Sequence, residues 1–418
     1  MPSDAIVIGG GVGGLVAARR LALEGLTVTV LEQSGSLGGQ VARQRVAGVD
    51  LDAAAESFAT RGGAVAALLA ELGLAEDIVT PRQTPAWLHR ADGSAVPLPA
   101  TGLLGIPGDP LAPDVVRAIG REAAERASLD AVLPAEEGAD AASLGALVRA
   151  RMGAAVVDGL VAPIVRGVHS STPDDLPVER AHPRLREELR ERGSLAAAVR
   201  ALHAAAPAGS QVAGIRGGMF RLVDALAADC ARLGVTIELG ARVEDVRPDG
   251  VVVAGRHRSG LVVRASGAPD AAAPRTVTLV TLVVDAPALD AAPRGTGVLV
   301  SAEAPGVTAR ALTHLTAKWD WIAEALPGRH ALRLSYDGTP HDVVETATRD
   351  AGILLGTLLG SLADATVHTW TRGIAAGLDD ILAVGETVAG TGLASVVPHA
   401  DRVARDVSAS SRIGRGPS

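Results

Sequence analysis

The chain has 418 residues, 48% of them hydrophobic and 21% charged, with a formal net charge of −8. That length exceeds what one simple core serves, so a soluble globular protein of two or three domains is expected. The negative charge, with no basic tail and no zinc-type spacing, argues against a nucleic-acid partner and gives no metal site. A single cysteine, Cys230, excludes an internal disulfide and a cysteine-ligated iron–sulfur centre, and suits a reducing cytoplasm. The N-terminal apolar run is broken by glycines and reaches Arg19-Arg20, unlike a signal peptide. The longest later run, Ala351 to Ala363, is too short to span a bilayer, which leaves only loose membrane association open.

The first elements carry the clearest signal. Ala5 to Ile8 is a short, β-branched apolar run and reads as a buried strand. Gly9, Gly11 and Gly14, with Gly13 among them, form G-x-G-x-x-G at its end. Leu15 to Leu23 reads as a helix closed by Gly25, and Leu26 to Leu31 as a second strand with Glu32 at its tip. In a strand–turn–helix–strand unit these glycines permit a tight turn, backbone approach to a pyrophosphate, and close helix packing. The helix N-terminus supplies amides and partial positive charge to the phosphates. Glu32, 18 residues after Gly14, is placed for a ribose hydroxyl pair. An acid there favours FAD or NAD over NADP.

Next comes Gly38-Gly39-Gln40, a loop expected to face the ligand because it directly follows that acid. Val41 to Asp52 suggests a strand and turn, and Phe58 to Leu72 a helix ending at Gly73. Trp87 to Leu98 reads as a hairpin around Asp92-Gly93. Pro97 to Pro110 is a Pro- and Gly-rich loop suited to a domain crossing. Ala112 to about Ala206 is helical in pattern, with Asp114, Ser128 and Ser143 as candidate N-caps. Arg184 to Arg192 alternates in charge with four-residue spacing, as a solvated helix face does.

A helix from Leu222 to Leu233 holds Cys230 as a small core residue. Strands are expected at Gly234 to Gly240, Ala241 to Val246, Thr276 to Val284, Ala309 to Leu315 and His330 to Tyr336. Val251 to Ala254 and Leu261 to Val263 suggest a hairpin, and Arg264 to Arg275 a second domain crossing. Ile381 to Val384 is a last strand, running into Gly385-Glu386, then Gly390-Thr-Gly392-Leu393 and a helix to about Val407. This repeats the opening logic of strand, glycines and helix. A chain that returns to its cofactor suits a flavin, whose ring lies beyond the pyrophosphate and needs its own donors. FAD is therefore expected rather than NAD.

These motifs together resemble the FAD amine oxidase-like superfamily. Within it, further segments resemble protoporphyrinogen/coproporphyrinogen oxidases, especially those of Gram-positive bacteria. They are Asp52 to Arg61, Val96 to Pro110, Val161 to Leu176, His182-Pro183 through Gly193-Ser194-Leu195, Gly217-Gly218-Met219 and Ala311 to Trp319. They run in family order over nearly the whole chain. The resemblance implies haem biosynthesis: a tetrapyrrole substrate loses six electrons and six protons, hydrides pass to the flavin, and O₂ is reduced to H₂O₂. It further implies that Arg166-Gly167-Val168 lies beside the substrate, as do Lys318 and Trp319, and that Arg61 faces a propionate. The Val243 backbone would meet the adenine, and Gly392 and Leu393 would lie beneath the flavin. Plain structural readings stand beside these: a helix-end ion pair for Arg166, a core anchor for Trp319, a surface role for Arg61. No catalytic His or carboxylate is singled out, since the flavin carries the difficult step.

The chain also departs from that pattern. Trp370 to Asp380 and Arg264 to Val280 are short, a Pro-x-Tyr segment is absent, and His399 and Asp401 stand where small residues are usual. Phe58, Phe220 and Tyr336 are few aromatics for a macrocycle pocket. Another flavin oxidase or desaturase, acting on an amine or secondary metabolite, therefore stays open, as does a non-catalytic flavin- or porphyrin-binding protein. The expected architecture is α/β: a discontinuous Rossmann-like FAD-binding domain (1–85, 207–264, 376–418), a mixed-sheet substrate-binding domain (86–111, 265–375) and a helical insertion (112–206).

Overall fold

The computed structural model describes residues 4–100, 102–169, 171–205, 212–247, 249–265, 272–374 and 382–414. The chain divides into two compact units, one of Met1–Thr80, Gln211–Thr276 and Trp370–Ser418, the other of Pro81–Ser210 and Val277–Thr369. Helices and strands are both substantial, as the mixed α/β expectation requires.

In the first unit, five parallel strands run in the order Thr236–Leu239, Val28–Glu32, Ala5–Ile8, Leu261–Arg264, Leu382–Ala383. Ala5–Ile8 is apolar at every position because both its faces are covered, as parallel sheets require. Ala5 and Val7 share a core with helices Val12–Leu23, Phe220–Arg232 and Leu393–Gly414. Ile6 and Ile8 face the other way, onto Val251 and Val253 of a three-stranded antiparallel sheet. That sheet comprises Val243–Arg247, Gly250–Val253 and Arg256–Ser259. The expected hairpin of Val251 to Ala254 with Leu261 to Val263 is therefore not formed. Val251 pairs with Arg258 instead, and Leu261 pairs in parallel with Ala5. Leu261–Arg264 joins the parallel sheet, where the side chains of Val262 and Val263 are both buried.

Val41 to Asp52 holds the expected strand and turn, and a second strand completes a hairpin of Arg43–Val46 and Val49–Asp52. Phe58 to Leu72 is not one helix. Phe58–Ala59 pairs with Val212 and Ala213, Gly62 and Gly63 take positive φ of 74° and 67°, and the helix begins only at Ala64. Cys230 lies in the core of this unit, as expected, where burial pushes its thiol up to about 12.

In the second unit, seven strands run in the order Ser361–Ile374, Ala272–Asp285, His330–Asp337, Ala311–His314, Gly297–Val300, Trp87–His89, Ala95–Pro97. Helix Val343–Leu355 packs Ala347, Ala351 and Leu354 against Val280, Leu282, Leu332 and Leu334 of that sheet. Short helices from Pro113–Ile119 to Leu195–Ala205 enclose a separate apolar core. Within them, Arg151 and Asp130 are both fully buried and ion-paired. Arg151 donates to the carbonyls of Asp130, Pro134, Glu137 and Gly193, while Asp130 accepts from the amides of Leu195 and Ala196. Buried charge is tolerated only with pairing this complete.

Ser143 caps its helix, accepting from the Ala146 amide at 3.2 Å. Asp114 and Ser128 do not cap. Asp114 falls inside the first turn after Pro113, and Ser128 ends helix Arg121–Ser128. The Arg184 to Arg192 stretch is helical, but it is not simply solvated. Glu188 is only 4% exposed and accepts from both Arg184 and Arg192, so the four-residue pairs hold a buried acid.

Candidate functional site

The strand Ala5–Ile8 ends at the glycine turn, and its neighbours fix what each glycine does. Gly9 takes φ +106°. A Cβ on Gly14 would stand 2.0 Å from the Gly9 carbonyl oxygen and 3.0 Å from the Ala265 Cβ, so only glycine fits there. Gly11 differs: its φ is −71°, and a Cβ would meet nothing nearer than the Gly38 oxygen at 3.9 Å. It is the N-cap of helix Val12–Leu23 and makes no side-chain cap hydrogen bond. The first amides of the helix are thus left for an outside acceptor, over a surface kept open by the missing Cβ. These features fit a pyrophosphate.

Glu32 is held by the backbone on both carboxylate oxygens. Oε2 accepts from the Gly10 amide at 2.7 Å, and Oε1 from the Ser34 amide at 2.8 Å. A carboxylate oxygen accepts about two hydrogen bonds, so one position on each remains for a diol. The Glu32 carbonyl accepts from the Ala241 amide at 2.9 Å, which sets the chain leading into Val243 beside this strand end. Gly10, Ser34 and Ala241 were not singled out in the sequence. Their part is played by backbone amides, which side-chain identity does not reveal.

The loop after Glu32 folds back on the turn. The Gly38 amide donates to the Gly10 carbonyl at 2.9 Å, and Gly11 and Gly38 form an isolated parallel bridge. The C-terminal glycines arrive at the same place. A Cβ on Gly13 would lie 3.1 Å from the Gly385 Cα, and Gln40 Nε2 donates to Glu386 Oε1 at 2.6 Å. Gly385 and Gly392 take φ of +100° and +94°, and Leu393 opens the last helix. Exposed Arg61 places Nη2 3.3 Å from Ser395 Oγ in that helix's first turn. The unexpected Asp401 ties the same helix to Arg20 at 2.6 Å and pairs within the helix with Arg405 at 2.9 Å. Burial, with Arg402 nearby, holds the His399 imidazole below its ordinary value.

The remaining candidates lie in the second unit. Arg166 and Gly167 belong to the widened helical turn Val165–His169. Arg166 Nη2 is 3.7 Å from Asp337 Oδ2, and a Cβ on Gly167 would overlap Leu299 Cδ2 at 2.6 Å. The Val168 side chain lies outside the described residues. Lys318 ends helix Leu315–Lys318, with Nζ 5.6 Å from the centre of the Trp319 ring. Trp319 itself is 1% exposed and packs in the interior. The strand Ala311–His314 separates the two groups: Gly167 stands near Ala311, whereas Lys318 follows His314 by one short helix.

The family model for flavin containing amine oxidoreductases matches residues 12–280. The chain belongs to that family. Membership implies a flavin cofactor and oxidoreductase chemistry. Curated relatives include the coproporphyrinogen III oxidase of Staphylococcus aureus, 28% identical over 259 residues, which are 59% of this chain and 55% of that protein. The Propionibacterium freudenreichii protein of the same name is 27% identical, over 59% of this chain and 53% of its own length. The chain thus spans about half the length of these relatives. The Mycobacterium tuberculosis coproporphyrinogen III oxidase (strain H37Rv) is 28% identical over 84% of this chain and 80% of its own. Among solved structures, a candidate protoporphyrinogen oxidase from Exiguobacterium sp. 255-15 aligns with TM-score 0.81 at 22% identity, covering 97% of this chain and 98% of that one. Cyclohexylamine oxidase from Brevibacterium oxydans aligns with TM-score 0.65 at 15% identity, over 99% of this chain and all of that one. The fold is therefore that of FAD amine oxidase-like proteins. Among the described residues, no helix is long and apolar enough to cross a membrane.

Proposed function

We propose that this chain is an FAD-dependent oxidase that converts coproporphyrinogen III to coproporphyrin III in haem biosynthesis. The observation that carries the reading is the set of curated relatives of that name, one of them matched over 84% of this chain. Each macrocycle would lose six electrons and six protons, and three O₂ would be reduced to three H₂O₂. The flavin supplies the hydride-accepting and oxygen-reducing chemistry. The chain's own task is to bind and orient, so no general base is assigned.

In this reading the first unit is the FAD-binding domain. Gly9, Gly11, Gly13 and Gly14 hold the pyrophosphate, Glu32 the ribose and the Val243 backbone the adenine. Gly38, Gly39, Gln40, Gly385, Glu386, Gly392 and Leu393 serve the flavin half. The second unit holds the substrate domain, with Arg166, Gly167, Val168 and Lys318 toward the tetrapyrrole and Trp319 anchoring its segment from within. Arg61 would pair with a propionate. The enzyme would act in the cytoplasm.

The test is aerobic incubation of FAD-loaded protein with coproporphyrinogen III and with protoporphyrinogen, read by porphyrin fluorescence and peroxide release. Rapid fluorescence gain with the first is expected. No gain above autoxidation with either would refute the reading, and peroxide from an amine panel instead would move it to an amine oxidase.

A further inference from the structure

A cleft lies wholly within the second unit, at the turns around strands Ala311–His314 and His330–Asp337. Its volume is about 200 Å³, and Arg82, Asp290, His314, Thr316, Arg329 and His330 supply its polar lining. Behind the cleft runs a chain of hydrogen bonds. Asp290 Oδ1 is 3.1 Å from His330 Nε2, and His330 Nδ1 is 3.1 Å from His314 Nε2 and 3.4 Å from Thr316 Oγ1. His314 is fully buried, and its Nδ1 has no hydrogen-bond partner among the described residues.

The charges in the lining are unequal. Asp290 touches His330 through Oδ1, and most of its side chain is exposed. Arg82 uses Nε on Asp320, which leaves its terminal nitrogens free of that contact. Arg329 is exposed, and no carboxylate pairs with it among the described residues. Two arginines and one acid, Asp290, thus line the hollow, and because Arg82 is paired with Asp320, Arg329 is the one of the two arginines with no carboxylate partner among the described residues. Guanidinium forks match planar and tetrahedral oxyanions.

We propose that this cleft is a binding site for a small oxyanion, a carboxylate or a phosphate. Arg329 and Arg82 grip it from the rim, and the Thr316 hydroxyl supplies polar contact at the floor. Asp290 orients His330 from behind and is a positioning residue. The site is independent of the flavin reading, since none of its residues belongs to the glycine turn. The anion has two chemical sources, a free small molecule or a propionate of a tetrapyrrole, and the shared carboxylate chemistry defines the site.

The test is isothermal titration of FAD-loaded protein with inorganic phosphate and with succinate at low salt, repeated after addition of coproporphyrin. Saturable binding is expected, weakened about tenfold or more in Arg329→Gln. Thr316→Val is expected to weaken it less. Circular dichroism checks that both variants fold, and Arg329, being exposed, carries no packing. Displacement of phosphate by coproporphyrin would assign the site to a substrate propionate, and its failure to displace would assign a free anion. Either result supports the oxyanion site. Absence of saturable binding of both phosphate and succinate, or binding unchanged in Arg329→Gln with Arg82→Gln added, would overturn it. Oxidase activity is measured in parallel, so failure of the catalytic reading is seen separately.

Discussion

Gly11→Ala separates a ligand-facing glycine from a structural one. The backbone at Gly11 has φ −71° and ψ 173°, which alanine adopts without strain, and the new Cβ would meet nothing nearer than 3.9 Å. Folding should therefore be unharmed, and a gain of about 0.4–1 kcal/mol is expected from the less flexible unfolded chain. The same methyl stands over the uncapped N-terminus of helix Val12–Leu23, where the proposed FAD would bring its pyrophosphate to the backbone. Losing one charge-assisted hydrogen bond of about 1.5–3 kcal/mol weakens FAD binding about 10- to 100-fold. Gly14→Ala is the contrast, because its Cβ would collide with the Gly9 carbonyl at 2.0 Å. It should destabilise the apoprotein itself, by about 1–3 kcal/mol or more. The assay pairs the Tm of each apoprotein with FAD affinity from flavin fluorescence quenching. A Gly11→Ala protein that binds FAD like wild type would refute the pyrophosphate assignment. One that melts well below wild type would refute the claim that the position is structurally free.

Other perturbations probe the rest of the chain. Arg151→Met leaves Asp130 as an uncompensated buried charge and should cost about 3–5 kcal/mol in urea unfolding; a loss under about 1 kcal/mol would show that the Leu195 and Ala196 amides alone suffice. Cys230, buried with its thiol pushed up to about 12, should resist thiol reagents in the native protein and react once unfolded. Fast native labelling would contradict its place in the core. His314 is pushed down to about 4, first by burial and then by His330 and Arg82. The unfolded chain then takes the proton first as pH falls. The stability from keeping His314 neutral is complete above about pH 6.5 and declines toward pH 4. Urea midpoints across that range should show the decline, and His314→Gln should flatten it; an equal slope in the variant would refute the assignment.

Some of this protein was legible in its residues because the information was local. Ala5–Ile8 shows as a strand through its unbroken apolar run, and Gly9 to Gly14 as a tight strand-to-helix turn through spacing that backbone sterics impose. The acid at Glu32 follows from the length of one strand–helix–strand unit. Ser143 and Cys230 also behaved as their local pattern suggests.

Tertiary structure decided what sequence neighbours cannot. Leu261–Arg264 pairs with Ala5–Ile8 across more than half the chain, and no periodicity distinguishes that from a local hairpin with Val251. Glu188 looks like any surface acid until burial places it between Arg184 and Arg192. The roles of Gly10 and Ser34 at Glu32 belong to backbone amides, which every residue but proline carries. Meeting of Gly13 with Gly385, of Gln40 with Glu386, and of His314 with His330 and Asp290 depends on how separate elements stack. Spacing along the chain dictates which turns form; only the closed packing of those elements dictates which side chains share a site.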